Sequence, residues 1–97
     1  MAGFVQIIEF ETDRIDEVRK LTEQMRDRDG EPRVVQGMLT HDRDHPNSYI
    51  SVIEFPSYEM AQENNADPVT QEYAARMEEL CNGPARFHNL DMMDRMR

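Results

Sequence analysis

Four side chains that carry amide or phenol groups form the set best suited to chemistry: Gln6, Asn64, Asn65 and Tyr73. Strand alternation directs Gln6 toward the predicted helices, and the other three lie on helical segments that can face it across a cleft. Their N–H and O–H groups are suited to stabilising an anion. In the alternative interpretation, Gln6 bonds the backbone, the asparagines end a short helix and Tyr73 is a core residue. We predict catalytic roles for Gln6 and Tyr73, and substrate contacts for Asn64 and Asn65.

His88 and Met77 complete the predicted site. An imidazole accepts a proton near neutral pH, so His88, on the predicted last strand, is a third catalytic candidate if it faces the same cleft. If it does not, it is an edge-strand or interface histidine bonded to the backbone. Met77 is one of eight methionines, a residue type that fills gaps in cores and also makes malleable pocket walls. We predict that Met77 contacts substrate.

A short segment rich in metal-ligand residue types contains His41, Asp42, Asp44 and His45. These residues flank a predicted turn before Pro46, where the two imidazoles point apart, so we expect a solvated hairpin tip and no metal site. The single Cys81 cannot form an intramolecular disulfide and is predicted to be a small buried hydrophobe in a helical run.

Glu9 and Glu54 are a candidate carboxylate pair. We expect them at corresponding ends of neighbouring, parallel strands, where a like charge would raise the pKa of one partner. The interpretation we favour is that each carboxylate forms an ion pair with Arg33, Arg86 or an arginine of a partner subunit.

The elements that position these residues follow from hydrophobic periodicity. Runs of β-branched and aromatic residues predict strands over 4–10, 33–42, 48–55 and 85–92. Apolar residues three or four apart predict a helix from Asp13 that ends within 29–32. Ser57 caps a helix running from 58 to about 65, and Asp67 followed by Pro68 starts another that ends at 82–84.

This order of elements predicts a ferredoxin-like βαββαβ fold of the α+β class, with a four-stranded antiparallel sheet and helices on one face. A single domain covers residues 1–92, and residues 93–97 form a tail. The other sheet face stays uncovered, with six residues expected on it: Val5, Ile7, Glu9, Ile50, Val52 and Glu54. Four of these are apolar, so we predict a homodimer in which two sheets pack face to face.

Composition narrows the classes of function. A chain of 97 residues with 38% hydrophobic and 32% charged residues is too short for a multidomain enzyme. The formal charge of −9 opposes binding to a phosphate backbone, so nucleic acid is not an expected partner. A bilayer-spanning apolar stretch and a basic signal-peptide start are both lacking, which predicts a cytoplasmic protein without a membrane partner.

The segment 49–61, the Asp67-Pro68 pair and an apolar stripe of Tyr73, Met77 and Leu80 resemble the antibiotic-biosynthesis monooxygenase-like family of dimeric α+β barrels. The resemblance implies a dimer with a cleft between sheet and helices in each subunit. Members include cofactor-free oxygenases of electron-rich phenols, haem-degrading enzymes, isomerase-like proteins and many without an assigned activity. Glu54 matches a strand-end glutamate of that family.

Haem chemistry is not expected from the resemblance. Haem-degrading members carry Asn, Trp and an iron-ligating His at positions that align here with Gln6, Asn64 and Tyr73, and this chain contains no Trp. We therefore predict no cofactor. The leading hypothesis is a homodimer that binds a small aromatic or hydrophobic ligand and, if it is an enzyme, oxidises it as a cofactor-independent monooxygenase. The alternative is a non-catalytic dimerising domain or an accessory protein.

Overall fold

Four strands and three helices alternate along the chain in a computed structural model that describes residues 3–28 and 34–96. The strands are β1 Phe4–Glu11, β2 Gln36–His41, β3 Ser48–Phe55 and β4 Arg86–Asp91, and the helices are α1 Ile15–Arg28, α2 Tyr58–Ala66 and α3 Pro68–Leu80. This order confirms the predicted ferredoxin-like βαββαβ arrangement. Arg33 and the predicted helix stop at 29–32 lie outside the described residues. Within the described ranges, no helix has the length and apolar character needed to cross a bilayer.

The sheet is antiparallel throughout, in the order β2-β3-β1-β4. Gln6 pairs with Ile53 on one side and with Asn89 on the other. Ile7 pairs with Val52 and His88. Successive residues point to opposite faces, so Gln6 and Asn89 face the helices while Ile7 and His88 lie on the uncovered face, which we call the open face.

One cluster of the core lies at the Phe4 end of the helix-covered face, and Phe10 and Val18 are buried elsewhere. Phe4 and Phe55 are buried in that cluster with Ala61 of α2, and the Phe4 ring meets Phe55 at 6.4 Å and Tyr58 edge-on at 5.3 Å between centroids. Aromatic pairs in these arrangements add to the free energy gained by burial. The start of α2 is thereby fixed over the first residues of β1.

N-cap residues mark the starts of α2 and α3, as the sequence predicts. The Ser57 hydroxyl accepts a hydrogen bond from the Met60 N–H at 3.2 Å, and the Asp67 carboxylate accepts one from Val69 N–H at 2.9 Å. Pro68 occupies the first turn of α3, where its missing N–H costs nothing. The two helices therefore remain separate at residue 67.

The far end of α3 is tied to the end of β1. Thr12 is fully buried; its hydroxyl donates to the Leu80 carbonyl at 2.5 Å and accepts from the Arg14 N–H at 3.0 Å. The Asn82 N–H donates to the Glu11 carbonyl at 2.7 Å. These bonds satisfy groups that a helix end would otherwise leave unpaired.

Cys81 differs in position from the prediction. It is the C-cap residue that follows α3, half-buried rather than inside a helical run. Burial, with a smaller contribution from the Glu78 carboxylate, raises the pKa of its thiol. A protonated thiol at neutral pH is a poor nucleophile.

The expectation that Glu9 and Glu54 are neighbours on parallel strands is wrong. β1 and β3 are antiparallel, so Glu9 pairs with Ile50 at one end of the sheet and Glu54 pairs with Val5 at the other. The ion-pair interpretation is confirmed, because Glu9 contacts Arg86 at 3.2 Å. Glu54 pairs instead with Arg95, an arginine of the tail that the prediction did not include.

Candidate functional site

Gln6 anchors the polar part of the helix-covered face. Its side chain is 8% exposed, and its amide N–H donates to Asn89 Oδ1 across the β1–β4 pair at 3.3 Å. This bond uses the Asn89 oxygen and leaves the Asn89 N–H₂ group without a hydrogen-bond partner among the described residues. Because Asn89 is exposed, its amide presents hydrogen-bond donors to whatever occupies the adjacent space.

Phe87 supplies an apolar surface beside this amide pair. It lies two residues before Asn89 on the same face of β4 and pairs with Ile8 of β1. Its ring is 57% exposed, since β4 is an edge strand that the helices leave uncovered. Small-molecule sites typically combine apolar or aromatic surface with a few oriented polar groups. Phe87 and the Asn89 amide provide this combination.

The α2–α3 segment is attached to the sheet near both ends of β1. Ala61 packs on the core beneath α2, and Leu80 is bonded to Thr12. At about 1.5 Å per helical residue, the path from Ala61 to Leu80 is about 28 Å. The strand path from Phe4 to Thr12 is about 27 Å, at about 3.4 Å per residue. The break at residue 67 falls about a third of the way along the helix path, and Gln6 lies about a quarter of the way along the strand path.

Asn64 and Asn65 lie on the last turn of α2, directly before this break. Asn64 is half-buried and Asn65 is exposed. Their backbone carbonyls are used locally: that of Asn64 accepts from the Asp67 N–H at 3.3 Å, and that of Asn65 accepts from the Gln71 side chain at 3.5 Å. Both side-chain amides remain without hydrogen bonds to other described residues, and neither contacts Gln6.

Tyr73 is directed to α1. Its hydroxyl lies 3.1 Å from Thr22 Oγ1, and the Thr22 hydroxyl lies 3.0 Å from the Val18 carbonyl. A carbonyl can only accept, so Thr22 gives its one proton to Val18 and must accept from Tyr73. Burial raises the pKa of the Tyr73 phenol, which keeps it protonated. Met77 follows one turn later on α3 and is half-buried.

His88 lies away from this cleft. On the open face its Nε2 is 2.5 Å from Glu9 Oε2, while Arg86 donates to the other oxygen of the same carboxylate. These hydrogen bonds, that of His88 first, lower the pKa of Glu9. The structure therefore does not bring His88 together with Gln6, because in this register the residue beside Gln6 is Asn89.

His41 and His45, near the β2–β3 loop, bind different partners. His41 stacks on Tyr49 with centroids 4.6 Å apart, and its Nε2 lies 2.8 Å from the Pro46 carbonyl. His45 Nδ1 bonds the Asp42 carboxylate at 3.0 Å. The Asp44 N–H and, after it, His45 lower the pKa of Asp42. Across residues 3–28 and 34–96, His, Cys, Asp and Glu form no group of three or more able to hold a metal ion.

Sequence reasoning missed Asn89 and Phe87. The loose alternation over 85–92 indicates a strand, but it does not say which alternate residues face the helices. Only the register with β1, which pairs Gln6 with Asn89 and Ile8 with Phe87, settles that question.

Solved structures similar to this chain include a variant of SnoaB, a cofactor-independent oxygenase from Streptomyces nogalater. It is 16% identical, with a TM-score of 0.79, and the match covers 98% of this chain and 95% of that one. A proposed antibiotic biosynthesis monooxygenase from Deinococcus radiodurans is 8% identical, with a TM-score of 0.79, over 97% and 96% of the two chains. A protein from Mycobacterium tuberculosis is 20% identical, with a TM-score of 0.76, over 98% and 99%.

No protein-family model and no curated protein matches the sequence. Identities of this size show a shared fold and leave activity open. The resemblance inferred from the sequence is thus confirmed at the level of architecture: the chain has the fold of SnoaB and of the proposed antibiotic biosynthesis monooxygenases.

Proposed function

We propose that this protein binds a small aromatic molecule on the helix-side face of the sheet, at the β4 edge where the Gln6–Asn89 pair lies. The observation that carries the proposal is the exposed Asn89 amide, whose oxygen is held by the nearly buried Gln6 and whose N–H₂ group stays available. Phe87, on the same face, provides the apolar contact. A phenolic or carbonyl oxygen would accept from Asn89 while the ring of the ligand packs on Phe87 and Ile8.

In this proposal the predicted residues on the helices border the same space. Asn64 and Asn65 lie on the last turn of α2, and their amides would bind a polar edge of the ligand. Tyr73 and Met77, on α3, would form the wall on that side. The Tyr73 phenol donates its proton to Thr22, so in this proposal Tyr73 only shapes the wall of the site. Gln6 and Asn89 stabilise the substrate anion.

Cofactor-independent oxygenation is the reaction that suits such a site, and SnoaB, which shares the fold, is described as an oxygenase of this kind. In this chemistry a substrate CH₂ group beside a phenol and O₂ become C=O and water, and the substrate supplies the electrons. The protein must hold the substrate anion, which amide donors stabilise. In this proposal the proton is taken by Asp91, the next residue after Asn89 on that face of β4.

The test compares ligand binding and oxygen consumption in matched variants. Phenolic aromatic compounds that carry a CH₂ group beside the phenol ring are screened by thermal shift, and hits are assayed with an oxygen electrode. We expect Asn89→Ala to weaken binding about tenfold, as loss of one hydrogen bond to a charged group predicts. Asn82→Ala, the same change in the exposed loop after α3, should bind as the parent does. Equal binding by both variants contradicts the site, and binding without oxygen uptake by the parent contradicts the oxygenase.

A second candidate function is dimerisation without catalysis, and the open face favours it. The register confirms that the six residues predicted for this face share it, and it adds Met38 and Leu90. Met38 and Leu90 are among the exposed large hydrophobic residues. A contiguous apolar sheet face is typical of a protein interface, and we propose that two copies pack there. A monomeric mass at micromolar concentration by sedimentation would contradict this proposal.

A further inference from the structure

Asn82 and Gly83 lie in the short connection between the end of α3 and the start of β4. Both residues are exposed. The chain contains five asparagines, and Asn82 is the only one that a glycine follows. Asparagine is among the thermally labile residues of proteins, because its side-chain carbonyl carbon is open to attack by the backbone nitrogen of the next residue. Gly83 supplies the least hindered nitrogen for this attack, since it has no side chain.

The reaction at this step consumes water and releases ammonia. The Gly83 nitrogen gives its proton to hydroxide and attacks the side-chain carbonyl carbon of Asn82. A bond forms between that nitrogen and that carbon, the bond from the carbon to the amide nitrogen breaks, and ammonia leaves with a proton from water. Water then opens the resulting five-membered succinimide at either carbonyl, which gives aspartate or isoaspartate. The reaction involves neither an oxidant nor a reductant.

The Gly83 nitrogen is free to react in the folded protein. Its N–H makes no hydrogen bond to any described residue. The φ angle of Gly83 is 143°, in a region that residues with a side chain rarely adopt, and a Cβ atom built there would meet no described atom within 4 Å. Hydrogen bonding and space therefore both leave this nitrogen accessible to the Asn82 side chain.

Asn47, in the β2–β3 loop, shows the opposite arrangement. The nitrogen that would attack its side chain belongs to Ser48, and the Ser48 N–H donates to the His45 carbonyl at 3.0 Å. The Asn47 carbonyl accepts from the Thr12 N–H at 2.9 Å. Attack would break the first of these hydrogen bonds and disturb the second, so the fold protects this asparagine.

The remaining asparagines lie inside regular elements. Asn64 and Asn65 are in the last turn of α2, where the N–H of the following residue belongs to the helical hydrogen-bond ladder. Asn89 is in β4, and its side-chain oxygen accepts from Gln6. Attack at any of the three distorts a helix or a strand. Asn82 is thus the asparagine with a free neighbouring nitrogen and room to reach it.

The product of this reaction changes the end of α3. A carboxylate replaces a neutral amide, so one negative charge is added and the formal net charge goes from −9 to −10. Asn82 directly follows Cys81, the C-cap residue of α3, and a negative charge there is unfavourable beside the negative end of the helix dipole. In the isoaspartate form, one extra carbon enters the main chain between Asn82 and Gly83 and lengthens the connection to β4.

We propose that the Asn82–Gly83 step is a site of spontaneous deamidation in the folded protein, and that the resulting carboxylate lowers the stability of the molecule through the end of α3. The inference is independent of the ligand and of the dimer proposed above. It makes the connection between α3 and β4 the first part of the folded chain to be chemically altered.

Peptide mapping by mass spectrometry tests the site, because all five asparagines are compared in one sample. The folded protein is incubated at a series of pH values from neutral to mildly alkaline. We expect Asn82 to lose its amide about tenfold or more faster than each of the other four, since each of those must first give up a hydrogen bond or regular geometry. The rate should rise with pH, because the attacking nitrogen has to lose its proton.

Three variants separate this site from other sources of negative charge. Asn82→Ala should remove the acidic form that anion-exchange chromatography resolves from the incubated protein, and Asn47→Ala should leave that form unchanged. Asn82→Asp introduces the product carboxylate directly and should melt at a lower temperature than the parent protein. An unchanged melting temperature contradicts the effect on α3.

The parent protein unfolded in guanidinium chloride gives the reference rate for an Asn82 that no structure restrains. Deamidation there without deamidation in the folded protein would show that the fold protects this step, and would overturn the proposal. Comparable rates at Asn82 and at another asparagine of the folded protein would overturn it as well.

Discussion

The Tyr73 hydroxyl donates its proton to Thr22 Oγ1, 3.1 Å away, because the Thr22 proton is already given to the Val18 carbonyl. This chain of two hydrogen bonds joins α3 to α1 within a partly buried helix interface. Tyr73 therefore contributes to the packing of α3 against α1. A residue with its proton donated to a neighbour has to give up that bond before it can donate to a ligand.

We therefore predict that Tyr73→Phe lowers the free energy of unfolding by about 1 kcal/mol, the usual net value of one hydrogen bond. Urea denaturation followed by circular dichroism measures the change. Tyr58→Phe is the matched control, because Tyr58 is half-exposed and its hydroxyl bonds only Gln62 among the described residues; it should change stability by a few tenths of a kcal/mol at most. Ligand affinity should survive in Tyr73→Phe, and its loss in a variant of unchanged stability would restore Tyr73 as a donor to substrate.

The raised pKa of Tyr73 also predicts alkaline behaviour. Burial stabilises the neutral phenol in the folded state, so the folded protein holds this proton more tightly than the unfolded chain, where the pKa is near 10.0. The associated stability is complete below that value and is lost as pH rises through the higher folded pKa. The unfolding free energy of the parent should thus fall more steeply above pH 10 than that of Tyr73→Phe. Parallel curves for the two proteins would contradict this.

Most of the fold is predictable because its signals are local. The third strand matches the prediction at both ends, since turn residues and a proline delimit it. The caps at Ser57 and Asp67 likewise depend on neighbours a few residues away. The direction of β1 relative to β3 depends on how the sheet assembles, which is why Glu9 and Glu54 were placed together incorrectly.

The candidate site was only partly predictable for the same reason. The direction of Gln6 follows from alternation within one strand, and the structure agrees that it faces the helices. The partner of Gln6 depends on register between β1 and β4, residues 83 positions apart in sequence. A shift of one residue exchanges Asn89 for His88 and moves every side chain of the strand to the other face. The prediction of His88 rests on its chemistry, which carries no information about register.

Thr12 should be a strong contributor to stability. It is fully buried and its hydroxyl serves two elements, as donor to Leu80 at the end of α3 and as acceptor from Arg14 before α1. Thr12→Val keeps the shape but leaves both backbone groups without that partner, so we expect a loss of about 1–3 kcal/mol in unfolding free energy. Thr12→Ser keeps the hydroxyl and should recover most of the loss. A loss in Thr12→Ser as large as that in Thr12→Val would contradict the assignment of this stability to the hydroxyl.

Lowering the pH should reduce the free energy of unfolding that Glu9 contributes on the open face. Hydrogen bonds from His88 and Arg86 hold the pKa of this carboxyl below its ordinary value of 4.5. A lowered folded pKa means that the pair contributes stability above the unfolded pKa and that the contribution is lost as pH falls through the folded value. The stability difference between the parent and Glu9→Gln should thus be constant at neutral pH and shrink below about pH 4.5, in urea denaturation across a pH series. Glu59→Gln, on α2, gives the same charge change outside this cluster. A difference that stays constant into acid for Glu9→Gln would show that the Glu9 carboxylate gains nothing from His88 and Arg86.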